Sequence, residues 1–319
     1  MTKSLAVGVD LGGTNMRASL VDVEAGTLLS EEKLKLTDYA PEVVASSLAG
    51  LVQKVDPERK RVGVGVGIAA LLRGWTGVVI VGPNLGWHEV AFRSLVENAL
   101  GTGEPVELYN DLNAIALGEV SYGSARGTKD ALCIYIGTGI GAGIVASGRL
   151  YAGATHLAGE LGHSKVVLEN GRPCGCGQRG CLEAYAGGNN IAKRAHEELK
   201  TQHSAAVELA GGADKVHAGF LDQAAAAGDP YATRLWAEVS DYAGIALGAA
   251  VTLLNPSTLI MGGGVWTGAP VLGGLIRKKL LHAANAPSLV DFQLVDTSLG
   301  DDAGRLGAAR AISHGRGPQ

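Results

Sequence analysis

Two stretches of the chain share one pattern without sharing letters. LAVGVDLGGTNMRASLVD (5–22) and ALCIYIGTGIGAGIVASG (131–148) each run an apolar strand into a glycine turn and back out along a second strand. A chain whose halves both begin with such a hairpin is constrained to a mixed α/β architecture of two similar lobes. After the first hairpin the pattern continues as a strand near 26–36 and a helix opened by Pro41, with apolar residues at Val43, Val44, Leu48, Leu51 and Val55. The continuous apolar strand RVGVGVGIAA follows. After the second come helical patterns near 188–200 and 229–254, strands at STLIMGG and FQLVDTS, and a last helix from about Asp302 to Ser313. At 319 residues the chain exceeds what one core usually organises, which agrees with two lobes.

The turns themselves suggest a ligand. Asp10, Gly12, Gly13 and Thr14 form one turn, and Gly137, Thr138, Gly139 and Gly141 another, where backbone N–H groups can converge on phosphate oxygens. Either turn alone reads equally as a tight β-turn; two of them facing each other suit a nucleoside triphosphate in a cleft. There is no GxxxxGK[ST], and GAGIVA (141–146) lies in the second strand of a hairpin rather than at a helix start, which disfavours a dinucleotide site. A third cluster, MGGGV (261–265) with Gly262 and Gly263, offers close backbone approach to an adenosine.

Three of the four cysteines, Cys174, Cys176 and Cys181, stand within eight residues as CxCx4C, and His163 lies eleven residues upstream. Three thiolates and an imidazole make a closed tetrahedral zinc site. Inert or redox thiols are the alternative, and His156 competes as the fourth ligand. Cys133, in ALCIYIG, reads as a buried strand residue. In VELYNDLNAIALGE, Asn110 and Asp111 fall between a strand and a helix, and the residues alone favour Asp111 as the helix cap over Asp111 as an acid–base group. Asn84, Glu160, His163 and Glu183 are further polar candidates, the last three tied by sequence to the thiol cluster.

The charge balance, 27 Lys and Arg against 31 Asp and Glu, contains no basic run that could track phosphates, so nucleic acids and anionic membranes are poor partners. The N-terminal stretch enters a strand without an apolar leader, and no run approaches eighteen unbroken apolar residues. A cytoplasmic protein is expected, where clustered cysteines are more often ligands than disulfides.

DLGGTN, GPNLGW, YNDLNA, IGTGIGAG, GELGH, CGCGQRGCLE and NPSTLIMGGG occur in this order. On these motifs the chain resembles the ROK family of sugar kinases, most of all its bacterial glucokinases, over essentially its whole length. The resemblance implies an actin-like (ribonuclease H-like) ATPase fold with an inter-lobe cleft, ATP with Mg²⁺ in that cleft, and a hexose at its base. The expected division is 1–118, completed by a C-terminal helix within 301–319, and 119–300 with the zinc loop. It implies Asp111 as catalytic base; Asn84, Asn110, Glu160, His163 and Glu183 as ligands of sugar hydroxyls; and His163, Cys174, Cys176 and Cys181 as zinc ligands. The implied reaction is phosphorylation of a hexose at its 6-hydroxyl, D-glucose to glucose 6-phosphate, by a homo-oligomer, expected to be a dimer. N-acetylmannosamine, fructose and allose are alternative substrates; a non-kinase actin-like ATPase and a sugar-sensing regulator are readings from other classes. The regulator needs a DNA-binding segment before the first hairpin, and only a handful of residues precede it. GIAALLRGWTGVV (67–79) lacks the family's Pro-Gly-x-Val-Asp, which puts the backbone contacts of that turn to the sugar in question.

Overall fold

The structure, a computed structural model, describes residues 4–314, so 315–319 of the expected C-terminal segment lie outside the described residues. In chain order the strands are β1 (Leu5–Leu11), β2 (Asn15–Asp22), β3 (Thr27–Lys35), β4 (Val64–Ile68), β5 (Leu71–Leu72), β6 (Val79–Gly82), β7 (Trp87–Val90), β8 (Val106–Asn110), β9 (Ala131–Ile136), β10 (Ile140–Ala146), β11 (Arg149–Leu150), β12 (Thr258–Gly262) and β13 (Gln293–Asp296). They form two five-stranded sheets, β3-β2-β1-β4-β8 and β11-β10-β9-β12-β13, and one three-stranded sheet, β5-β6-β7. Numbered within each half, both large sheets read 3-2-1-4-5. The repeat first visible as two glycine-turn hairpins is therefore a repeat of sheet order.

Two compact units are distinguished by their internal contacts. One holds the described residues of Met1–Cys133, Gly143–Gly159 and Val295–Gln319; the other holds Ile134–Ala142 and Glu160–Leu294. In the first, β4 is buried at every position, as a strand covered on both faces must be. The helix Pro41–Val55 packs there through Val44, Ala45, Leu48, Leu51, Val52 and Val55. Val43 is instead 42% exposed, because at 100° per residue it falls off the stripe that Val44, Leu48 and Leu51 define. The helices Asp111–Tyr122 and Ala303–His314 complete this unit's core.

The second unit contains the helices Gly188–Glu198, Ala205–Ala210, Ala218–Ala226, Pro230–Leu254 and Pro270–Ala283. Among the described residues Pro230–Leu254 is the one helix long and apolar enough, by length and composition, to cross a membrane. It buries Leu235, Trp236, Val239 and Leu247 while carrying Arg234, Glu238 and Asp241, the pattern of a core helix. The sheet β5-β6-β7 and the helices Phe92–Leu100 and Pro270–Ala283 have no counterpart in the sequence reading. Their strands of two to four residues are too short to display a period, so long-range pairing rather than local pattern sets them.

Candidate active site

Residues of the first unit gather where parallel strands end. β1, β4 and β8 run parallel with Leu11 opposite Ile68 and Ile68 opposite Asn110, so Asp10, Asn110 and Asp111 share the carboxyl edge of one sheet. Ligands of open α/β sheets bind outside this edge. Asp10 pairs across the hairpin with Arg17. Burial pushes its carboxyl up, the charges of Arg17 and Arg305 oppose that, and Asp301 adds to it. The turn is closed by the Gly12 N–H donating to the Asn15 carbonyl at 3.0 Å. Gly13 lies hard against Asn84, whose Cβ would be 2.6 Å from a Cβ at that position. The motifs DLGGTN and GPNLGW therefore touch.

Asn110, not Asp111, caps the helix Asp111–Tyr122: its Oδ1 accepts the N–H groups of Leu112 and Asn113 at 3.0 and 3.3 Å. This corrects the cap expected at Asp111. Asp111 is the first helical residue, one position too late for the cap geometry, and its Oδ1 accepts the N–H of its neighbour Leu112 at 2.9 Å. The Asn110 amide donates to the Ala70 carbonyl at 3.4 Å. The segment that departs from the family pattern thus packs on Tyr109 and Asn110, the two residues before Asp111: β5 and β6 pair antiparallel through it, and Trp75 sets its ring edge-on to Tyr109 and to His156.

In the second unit, the turn Gly137–Gly139 between β9 and β10 is enclosed on three sides. Gly263, at φ +95°, would drive a Cβ to 2.5 Å from the Ile136 carbonyl. Gly188 and Asn189 donate backbone N–H groups to the carbonyls of Gly137 and Thr138 at 2.8 and 3.0 Å. Glu183 Oε2 accepts the Ile140 N–H at 2.8 Å. Gly262 ends β12 beside this arrangement. Glu160 stands with its Oε2 3.8 Å from His163 Nε2. Burial raises the Glu160 carboxyl, the His163 charge lowers it and Glu183 raises it further. Glu160, His163 and Glu183 all lie in this unit, and the charges of both His163 and Glu183 act on Glu160.

The thiol cluster has the dimensions of a metal site. All four cysteines are free, and the ligand atoms of His163, Cys174, Cys176 and Cys181 lie within 4.8 Å of one another. Cys176 and Cys181 place their sulfurs 3.7 Å apart, and Cys174 Sγ is 3.6 Å from His163 Nδ1. A tetrahedral zinc, with Zn–S of about 2.3 Å and Zn–N of about 2.0–2.1 Å, has S···S edges of about 3.8 Å and S···N edges of about 3.6 Å. A disulfide, with sulfurs about 2.05 Å apart, does not fit these distances. Nδ1 is thus the atom turned to the thiols, which leaves Nε2 on the side of Glu160. His156, the competing ligand, is instead packed against Trp75 and Gly74 in the other unit. Cys133 is fully buried in β9, where burial pushes its thiol up.

Sequence reasoning missed four contributors. Lys165 brings its Nζ to 3.2 Å from Cys181 Sγ and 2.7 Å from the Arg179 carbonyl. Its position two residues after His163 was the available signal. Arg17 had its place opposite Asp10 in the hairpin as a signal, whereas Arg305 and the first N–H groups of the helix Gly188–Glu198 had none, because their partners are remote in sequence.

The family model described as ROK family matches residues 6–314. The chain belongs to the ROK family. The glucokinase of Thermotoga maritima is 35% identical to this chain over 314 residues, spanning 98% of each chain. A ROK hexokinase from Thermus thermophilus superposes at TM-score 0.83 with 32% identity, over 97% of this chain and 98% of that one. A ROK family glucokinase from Streptomyces griseus, solved in complex with glucose and AMPPNP, does so at TM-score 0.78 with 34% identity, over 96% and 98%. The α/β fold of this ROK protein is the actin-like ATPase fold of those sugar kinases.

Proposed function

We propose that this ROK protein transfers the γ-phosphoryl group of ATP to the 6-hydroxyl of D-glucose, giving glucose 6-phosphate and ADP. The supporting observation is Asp111, held at the carboxyl end of β8 while Asn110 carries the cap. The likeness to glucokinases, one solved with glucose and AMPPNP, supports glucose as the substrate of this reading.

Asp111 accepts the proton of the 6-hydroxyl as its oxygen attacks phosphorus and the bond from phosphorus to the β–γ bridging oxygen breaks. A carboxylate is basic enough, because the hydroxyl becomes acidic only late in a loose transition state. Asn84, Asn110, Glu160, His163 and Glu183 bind the remaining hydroxyls. The turns Gly12–Thr14 and Gly137–Gly139 hold phosphate oxygens on backbone N–H groups, and both have the space: the nearest atom to an added Cβ is 3.5 Å away at Gly12 and 3.8 Å at Gly137. Gly262 and Gly263 would accommodate the adenosine, and Asp10 would hold Mg²⁺. Bound Mg²⁺ supplies neutralising charge at the β- and γ-phosphates.

His163 Nδ1 and the sulfurs of Cys174, Cys176 and Cys181 would hold a zinc ion, and with four protein ligands its role would be to shape the sugar site. With Nδ1 on the metal, His163 keeps its proton on Nε2 and donates it to a hydroxyl. The protein acts as a cytoplasmic homodimer. The test is a phosphorylation panel of glucose, N-acetylmannosamine, fructose and allose with Mg²⁺–ATP, the product position assigned by ³¹P–¹H correlation. Glucose 6-phosphate as the preferred product supports the reading, and ATP turnover indifferent to every hexose rejects it.

A further inference from the structure

One carboxylate joins the two ligand groups of the second unit. Glu183 begins the one-turn helix Glu183–Ala186 immediately after Cys181 and Leu182. Its Oε2 accepts the Ile140 N–H at 2.8 Å and crowds Gly139 so closely that a Cβ there has no room. Its backbone carbonyl accepts the Asn190 amide at 3.0 Å, and the N–H groups of Gly188 and Asn189 hold Gly137 and Thr138. Residues 183–190 thus secure every backbone position of the turn from Gly137 to Ile140 except Gly139. The other carboxylate oxygen, Oε1, has no hydrogen-bond partner among the described residues. On its other side the segment is anchored beside His163, through the Leu182 N–H to the Ser164 carbonyl at 2.9 Å and the bridge between Lys165 and Cys181.

We propose that Glu183 couples the hexose to the nucleotide: a sugar hydroxyl on Oε1 fixes the carboxylate whose Oε2 holds the phosphate-gripping turn, so each ligand strengthens binding of the other. This rests on the kinase reading of the same site. A carboxylate bound at one oxygen only retains rotational freedom, and that freedom passes to the Ile140 N–H and the glycine turn. A hydroxyl at Oε1 removes it before the phosphates arrive, so the nucleotide loses less conformational entropy on binding. Linkage makes the effect reciprocal.

The experiment is a two-ligand cycle by calorimetry: the Kd of AMPPNP with Mg²⁺, alone and at saturating glucose, and the converse. In the wild type glucose should tighten AMPPNP by about fivefold or more, and AMPPNP should tighten glucose by the same factor. Glu183→Ala should bring the ratio to about 1 even when excess glucose offsets its weaker sugar binding. Glu160→Gln, which alters a sugar ligand that does not touch the turn, should weaken glucose yet keep the ratio. Hydrogen exchange on the wild type needs no variant: amides 137–141 should slow with glucose alone. A wild type that binds both ligands independently, a Glu183→Ala variant that keeps the wild-type ratio, or exchange at 137–141 unmoved by glucose overturns the coupling while leaving the kinase reading intact. A wild type that binds neither ligand overturns both.

Discussion

Asn110 and Asp111 divide two tasks at the start of one helix: the Asn110 side chain holds the N–H groups of Leu112 and Asn113, and Asp111 stands next to it as the first helical residue. Replacing Asp111 therefore leaves the cap in place. Asp111→Asn keeps shape and hydrogen-bonding capacity but cannot take a proton. Its kcat should fall by about 10²–10⁴-fold, with glucose KM and melting temperature changed far less. Near wild-type turnover in steady-state assays would remove Asp111 from the chemistry.

The two glycine turns can be tested without breaking the fold. Neither Gly12 nor Gly137 has a positive φ, and a Cβ at either meets nothing closer than 3.5 Å. Gly12→Val and Gly137→Val should fold, bind glucose and weaken AMPPNP by about tenfold or more, since the branch occupies the space of phosphate oxygens. Gly139→Val is the contrasting case, because its side chain meets the Glu183 carboxylate and should lower the melting temperature. Calorimetry and thermal unfolding on the three variants separate the two effects.

Metal content follows from the sulfur and nitrogen spacing. Purified protein should carry about one zinc per chain by elemental analysis, bound with the large free energy, about 10–16 kcal/mol in small peptides, that such ligand sets provide. Chelation, or Cys176→Ala at the exposed cysteine of the set, should raise the glucose Kd and lower the melting temperature. Less than half an equivalent of zinc, or glucose affinity unchanged after chelation, would contradict the assignment.

Asp10 gives a pH signature with a definite sign. Its carboxyl titrates above the usual aspartate value because burial penalises the charged form more than Arg17 and Arg305 favour it. The folded state therefore holds the proton more tightly than the unfolded state. Stability is lost as pH rises from the ordinary aspartate value through the raised one. Urea midpoints of the ligand-free protein should show Asp10→Asn gaining on the wild type across that window and staying more stable up to pH 7. Below about pH 3.9, where the wild-type carboxyl is protonated in both states, the difference should close.

Much of the architecture was legible in local pattern. The glycine-turn hairpins at Leu5–Asp22 and Ala131–Ala146, the helix opened by Pro41 and the strand Thr258–Gly262 follow from apolar period, turn chemistry and proline position, all of which act over a few residues. The spacing of Cys174, Cys176 and Cys181 likewise sufficed to propose a metal, because ligands on one short loop need no long-range folding to meet. Tertiary structure alone decided the rest. Asn110 rather than Asp111 became the cap because the backbone leaves helical geometry one residue earlier than composition suggests. The chain reversed within residues 71–90 into a small sheet whose strands are too short to be periodic. Glu183 met Ile140, forty-three residues away, because a hydrogen bond across that separation depends on how whole segments pack and leaves no mark in the neighbouring letters.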